Sequence, residues 1–112
     1  MTPEKLMDTL GKFAATQGFE LNAYRAHVLA LMEGLLKNEA RYGYRSCPCR
    51  LAKNDREADR DIVCPCAYRE PDVAEFGSCY CGLYVSHAWN SGGLAHEYVP
   101  ERRPIEKRCP NT

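Results

Sequence analysis

Six of the seven cysteines of this 112-residue chain fall between Cys47 and Cys81, as three Cys-x-Cys pairs: Cys47-Pro48-Cys49, Cys64-Pro65-Cys66 and Cys79-Tyr80-Cys81. Fourteen residues separate the first two pairs and twelve the last two. Any fold for this chain must serve a chemistry of sulfur here. Three explanations compete: three disulfides, bound zinc, or an iron–sulfur cluster with two cysteines left over. Disulfide frameworks characterise secreted chains. The sequence opens Met1-Thr2-Pro3-Glu4-Lys5, with no basic start followed by an apolar run, so a reducing cytoplasm is the expected setting. Structural zinc sites favour two to four residues between paired cysteines, and six thiols overfill a four-coordinate ion. A cubane cluster takes four thiolates. The remaining two would make a redox-active dithiol, a reading that uses every cysteine of the pattern. Pro48 and Pro65 suit it. A proline fixes its own φ and has no N–H, and it biases the preceding residue toward extended backbone, so both loops are stiffened.

The order CPC…CPC…CxC, over a chain of this length, resembles the catalytic subunit of ferredoxin:thioredoxin reductase. The flanking residues agree: Arg45-Ser46 before and Arg50 after the first pair, Ile62-Val63 before the second, and Gly77-Ser78 before and Gly82-Leu83-Tyr84 after the third. The resemblance runs from the first helix to about Pro104. It implies a mainly α, small single domain of residues 1–112. In it an N-terminal helical hairpin (1–40) packs over cysteine-bearing loops and short helices (41–88) that wrap one [4Fe–4S] cluster, followed by a tail (89–112). It also implies that Cys47, Cys64, Cys66 and Cys79 ligate the cluster, that Cys49 is the exposed cysteine that attacks a partner's disulfide, and that Cys81 is held next to the cluster. The implied activity is ferredoxin-dependent reduction of thioredoxin-like protein disulfides. Electrons arrive one at a time and open the Cys49–Cys81 bond. Cys49 then forms a mixed disulfide that Cys81 resolves by thiol–disulfide exchange. Plant-type members work with a second, variable subunit, and nothing in this sequence speaks to one. Two departures point to a bacterial or archaeal branch: the first gap is shorter and the second longer, and Tyr80 stands where plant and cyanobacterial enzymes have a histidine. A phenol with an ordinary pKa of about 10 is a poor proton shuttle near neutrality. His87, six residues after Cys81, is the candidate for that work, since histidine titrates in the useful range.

The rest of the chain sets the frame. Formal net charge is zero, which gives no electrostatic call for nucleic acid or a membrane, and no apolar run approaches the roughly 20 residues of a membrane span. Thr2-Pro3-Glu4 reads as a capped helix start, with Leu6, Leu10, Phe13 and Ala14 on one face and Gln17-Gly18 as the stop. A second helix is expected from about Asn22 to Asn38, with Leu21, Tyr24, Val28, Leu31, Met32, Leu35 and Leu36 as its apolar stripe. His27 beside that stripe reads as an ordinary helix residue with a satisfied ring. The segment 41–53 carries four cations and no acid, which suits docking of an acidic electron donor. Tyr42 and Tyr44 there are expected to shield the cluster. Arg50 is expected to lower the pKa of Cys49. Residues 54–63, with alternating charges, read as an exposed short helix whose acids form a solvated face. Glu70–Phe76 reads as a helix stopped by Gly77, Gly82–Ser86 as a short strand, Asn90–Gly93 as a turn, and Leu94–Tyr98 as a helical turn. Cys109 reads as a bystander thiol in a basic, proline-punctuated tail. Two other readings stand beside the reductase: an electron carrier with a vestigial dithiol, and a zinc-bound interaction module.

Overall fold

The computed structural model describes residues 1–108, so Cys109 lies outside the described residues. Helix α1 spans Pro3–Thr16. The Thr2 hydroxyl accepts the Lys5 N–H at 3.2 Å, Pro3 occupies the first turn, and Leu6, Leu10 and Ala14 are buried. This is the helix the sequence announces. Helix α2 spans Arg25–Tyr42, three to four residues later than expected at each end. The reason is Asn22. Its Oδ1 accepts the Tyr24 N–H at 2.9 Å, while its backbone N–H goes to Leu83 and its Nδ2 to Gly82. Such a local side-chain bond competes with helix formation. Tyr24 consequently sits outside the helix and exposed rather than on the apolar stripe, and Leu21 belongs to a strand. Gly43, with φ of +87°, closes α2, and its N–H bonds the Glu39 carbonyl.

The two helices form the expected hairpin, with Val28, Leu31, Met32 and Leu35 of α2 packed against Leu6, Leu10 and Ala14. Between them β1 (Glu20–Leu21) pairs antiparallel with β2 (Tyr84–Val85), so the strand after the third cysteine pair is tied to the hairpin connection. On its other side α2 meets the first pair. A Cβ on Gly34 would lie 2.9 Å from the Pro48 ring, so only glycine allows this approach.

Residues 54–63 do not form a helix. Asn54 has a positive φ of 59°, and Asp55 Oδ1 accepts the Glu57 N–H at 3.1 Å, which leaves only a 3-10 turn at Arg60–Ile62. Nor is this a wholly solvated face, because Asp59 is fully buried. Helix α3 (Arg69–Phe76) ends at Gly77 as expected. Helix α4 (His87–Ser91) takes in the first half of the expected turn at 90–93, because the Ser86 hydroxyl accepts the Trp89 N–H and starts a helix, and the turn itself follows at Gly92. Residues 94–98 are not helical. The chain folds back there instead, with the His96 ring stacked on Trp89 at 3.6 Å and bonded to the Trp89 carbonyl. A last turn, α5, spans Ile105–Arg108. Among the described residues no helix is long and apolar enough to cross a membrane.

Candidate metal centre and dithiol

Backbone pairing brings the three cysteine pairs together. The first two are joined by an antiparallel bridge between Ser46 and Val63: the Cys47 N–H donates to Ile62 O and the Cys64 N–H to Arg45 O, both at 2.8 Å. These bonds set Cys47 and Cys64 side by side. The Cys64–Pro65 peptide is cis. The third pair lies in a tight loop, where the Cys79 N–H bonds Tyr84 O at 2.9 Å and the Gly82 N–H bonds Cys79 O at 3.0 Å. Gly82 has φ of +75°, a conformation that favours glycine.

Contacts link all six sulfurs, four of them to one another and those of Cys66 and Cys64 through Arg50 and Tyr84. The thiols of Cys47, Cys49 and Cys81 lie within 4.8 Å of one another. Cys81 Sγ is 3.9 Å from Cys79 Sγ. Arg50 Nη1 lies 3.7 Å from Cys47 Sγ and 3.6 Å from Cys66 Sγ. The Tyr84 backbone N–H donates to Cys79 Sγ at 3.3 Å, and the Tyr84 hydroxyl is 3.9 Å from Cys64 Sγ. Cys47, Cys66 and Cys79 are buried, Cys64 and Cys81 are half-buried, and Cys49 is exposed.

The thiols divide by acidity. Contacts with the Cys47 and Cys81 thiols hold Cys49 far below the ordinary thiol range, at about 4. The same contacts push Cys47 up through Cys49 and push Cys81 up through Cys47, Cys49 and Cys79. Of the three, the exposed Cys49 gives up its proton first, and the thiolate is the nucleophilic form. Arg50 lowers Cys49 as expected, but by less than the Cys47 and Cys81 contacts do, and its guanidinium is directed at Cys47 and Cys66. Burial raises Cys64 to about 12 and Cys66 to about 11. The Cys81 contact lowers Cys79 to about 7. Burial also raises the Tyr80 hydroxyl, which leaves it still less able to exchange protons near neutrality.

The histidine expectations change. His87 is exposed, and its Nδ1 is 2.7 Å from Glu20 Oε2 at the surface, so its ring is engaged away from the sulfurs. His27, read from sequence only as a satisfied helix residue, is satisfied by the dithiol loop itself: Nε2 donates to Cys81 O at 2.9 Å. With Asn22 on Gly82 O, the hairpin clamps two successive carbonyls of that loop. Tyr44 is buried, donates to Asp59 with Tyr42 stacked on it, and lines the cavity that opens on Cys64, while the Tyr84 hydroxyl touches the Cys64 thiol.

The basic segment 41–53 is not a continuous docking face. Arg50 is buried and Arg45 pairs with Glu39 at 3.6 Å. Arg50 is held by residues the sequence did not signal. Its Nε and Nη2 bond the Glu101 carboxylate at 2.9–3.0 Å, and its guanidinium lies over the Tyr80 and Tyr68 rings. Arg103, the largest fully buried side chain, reaches Asp61 at 3.0 Å and Asp59 at 3.7 Å. Asp59 also accepts the Lys53 N–H. Two cavities open on the cysteines. One, of about 280 Å³, is lined by Cys49, Arg50, Leu51, Tyr80, Glu101 and Arg103. The other, of about 520 Å³, is lined by Tyr44, Arg56, Arg60, Cys64 and Pro65 among others.

A donor set made wholly of thiols, with N–H groups aimed at three of the sulfurs, fits a thiolate-ligated metal or cluster. The family model described as ferredoxin thioredoxin reductase catalytic beta chain matches residues 2–108. No curated protein matches the chain.

Proposed function

This chain belongs to the ferredoxin thioredoxin reductase catalytic beta chain family, and from that premise we propose that it reduces protein disulfides with electrons from a ferredoxin. Cys47, Cys64, Cys66 and Cys79 would hold one [4Fe–4S] cluster, and Cys49 with Cys81 would be the working dithiol. The observation that carries this reading is the division of the six cysteines into one that is exposed, Cys49, and five that are buried or half-buried. When bound, the cluster supplies one-electron transfer beside a two-electron disulfide.

The chain's own residues account for the exchange chemistry. The Cys49 thiolate attacks one sulfur of a thioredoxin-like disulfide, forms a mixed disulfide and releases the partner's other sulfur as thiolate. The Cys81 sulfur then attacks Cys49, forms the Cys49–Cys81 bond and releases the partner with both thiols reduced. Two electrons from the ferredoxin and two protons restore the dithiol. His27 and Asn22 hold the Cys81–Gly82 carbonyls throughout, which keeps Cys81 within reach of Cys49. The cavity at Cys49, with exposed Leu51 on its rim, suits the protein disulfide. The cavity at Cys64 is lined by Arg56, and by Arg60 paired with Glu57 at 3.5 Å, which leaves a net positive rim for an acidic electron donor.

Replacing Cys49 with Ser should abolish disulfide reduction and leave iron bound. Replacing Cys64 with Ser should lose the iron. Iron analysis and a thioredoxin-reduction assay on both variants test the assignment, and the reverse pattern overturns it.

A further inference from the structure

Arg50 does more than fill space beside the sulfurs. Its side chain is 2 % exposed, and its nitrogens divide their work. Nη1 serves the sulfurs of Cys47 and Cys66, while Nε and Nη2 serve Glu101. The faces of Tyr68 and Tyr80, 5.2 and 4.6 Å from the guanidinium carbon, hold the plane. Glu101 is fixed in turn, because its Oε1 accepts the Arg103 N–H at 2.9 Å. The Glu101 side chain is 17 % exposed. A fixed cation and a fixed anion thus stand in line from two sulfurs outward, in a place where water screens little.

We propose that Arg50 and Glu101 form a charge pair that sets the reduction potential of the cluster, with Arg50 raising it and Glu101 holding it down. This rests on the reading of the site given above. Uptake of one electron from a ferredoxin-class donor would add one negative charge at the site these thiolates hold. A guanidinium donating to two of the four sulfurs favours that reduced form, since hydrogen bonds to the sulfurs and local charge are the protein's means of tuning such centres. The Glu101 carboxylate opposes it from one bond farther out. Both are positioning residues, acting through the sulfurs and through each other.

The test is an anaerobic redox titration of the full chain with dithionite and mediators, followed by visible absorption and electron paramagnetic resonance. Arg50→Gln should move the midpoint to more negative potential and Glu101→Gln to more positive potential. Each should change the reduced-to-oxidised ratio at fixed potential about tenfold, which is 59 mV for one electron. A packing role alone predicts no such opposition of sign. Unmoved midpoints, or shifts in the same direction, overturn the proposal. If Arg50→Gln fails to hold iron, Glu101→Gln decides alone: a positive shift supports the pair, and no shift or a negative one sinks it. Wild-type protein without iron would sink the site reading itself, and this inference with it. Iron-loaded wild type with unmoved variants would sink this inference only.

Discussion

Where α1 and α2 meet, the buried side chains are Leu6, Leu10, Ala14, Val28, Leu31, Met32 and Leu35. Between residues 44 and 66 they are Tyr44, Ser46, Cys47, Arg50, Asp59, Ile62 and Cys66, with a single aliphatic group. The hairpin is held by area removed from water, a non-directional force that needs only approximate fit. The cysteine segment is held by ion pairs, side-chain bonds to backbone and contacts at sulfur. These have directions and fail one partner at a time. The contrast teaches that the hairpin core, which also takes in Val73, Cys79, Leu83 and Tyr84, asks only for apolar fit, whereas the 44–66 loops depend on what their sulfurs hold.

Breaking that dependence should give the largest effect. Stripping the metal with a chelator, or replacing Cys64 with Ser, should abolish protection of the 44–66 amides in hydrogen exchange while the α1–α2 amides stay protected. Uniform loss across both regions would contradict the division. Next comes Asp59→Ala. It removes the acceptor for the Tyr44 hydroxyl and the Lys53 N–H and one carboxylate facing buried Arg103. Arg103 keeps Asp61, so the cost lies mainly in the two donors left without an acceptor, about 1–3 kcal/mol each, which denaturant unfolding of the loaded protein would read. A smaller cost, about 3 kcal/mol, is expected for Leu35→Ala in the hairpin, a loss of apolar burial plus a cavity. Its mark should be lower global stability with the iron content of the folded protein unchanged.

The same contrast explains what was legible in the sequence. Helix α1 was readable because Thr2, Pro3 and the Leu6–Leu10–Ala14 spacing act within one helical turn or two. The three cysteine pairs were readable as one chemical unit for the same reason, since each is a local pattern. Arg103 and Asp59 were not. In sequence Asp59 sits among alternating charges that read as solvated and Arg103 in a basic, proline-punctuated tail, and their burial depends on a contact between residues 44 positions apart. The histidines show the same limit. His87 was favoured for its nearness in sequence to Cys81, yet it is His27, 54 residues away, that α2 delivers to the Cys81 carbonyl. Arg50 was noticed as a neighbour of Cys49, but its side chain leans toward Cys47 and Cys66, a direction that sequence adjacency does not encode.

The most direct test of the central claim is anaerobic purification, followed by measurement of iron, acid-labile sulfide and thiols before and after reduction. The account predicts about four irons and four sulfides per chain with brown absorption, and one disulfide, Cys49–Cys81, that opens on reduction. Colourless protein carrying a single zinc, with no disulfide to open, would contradict it.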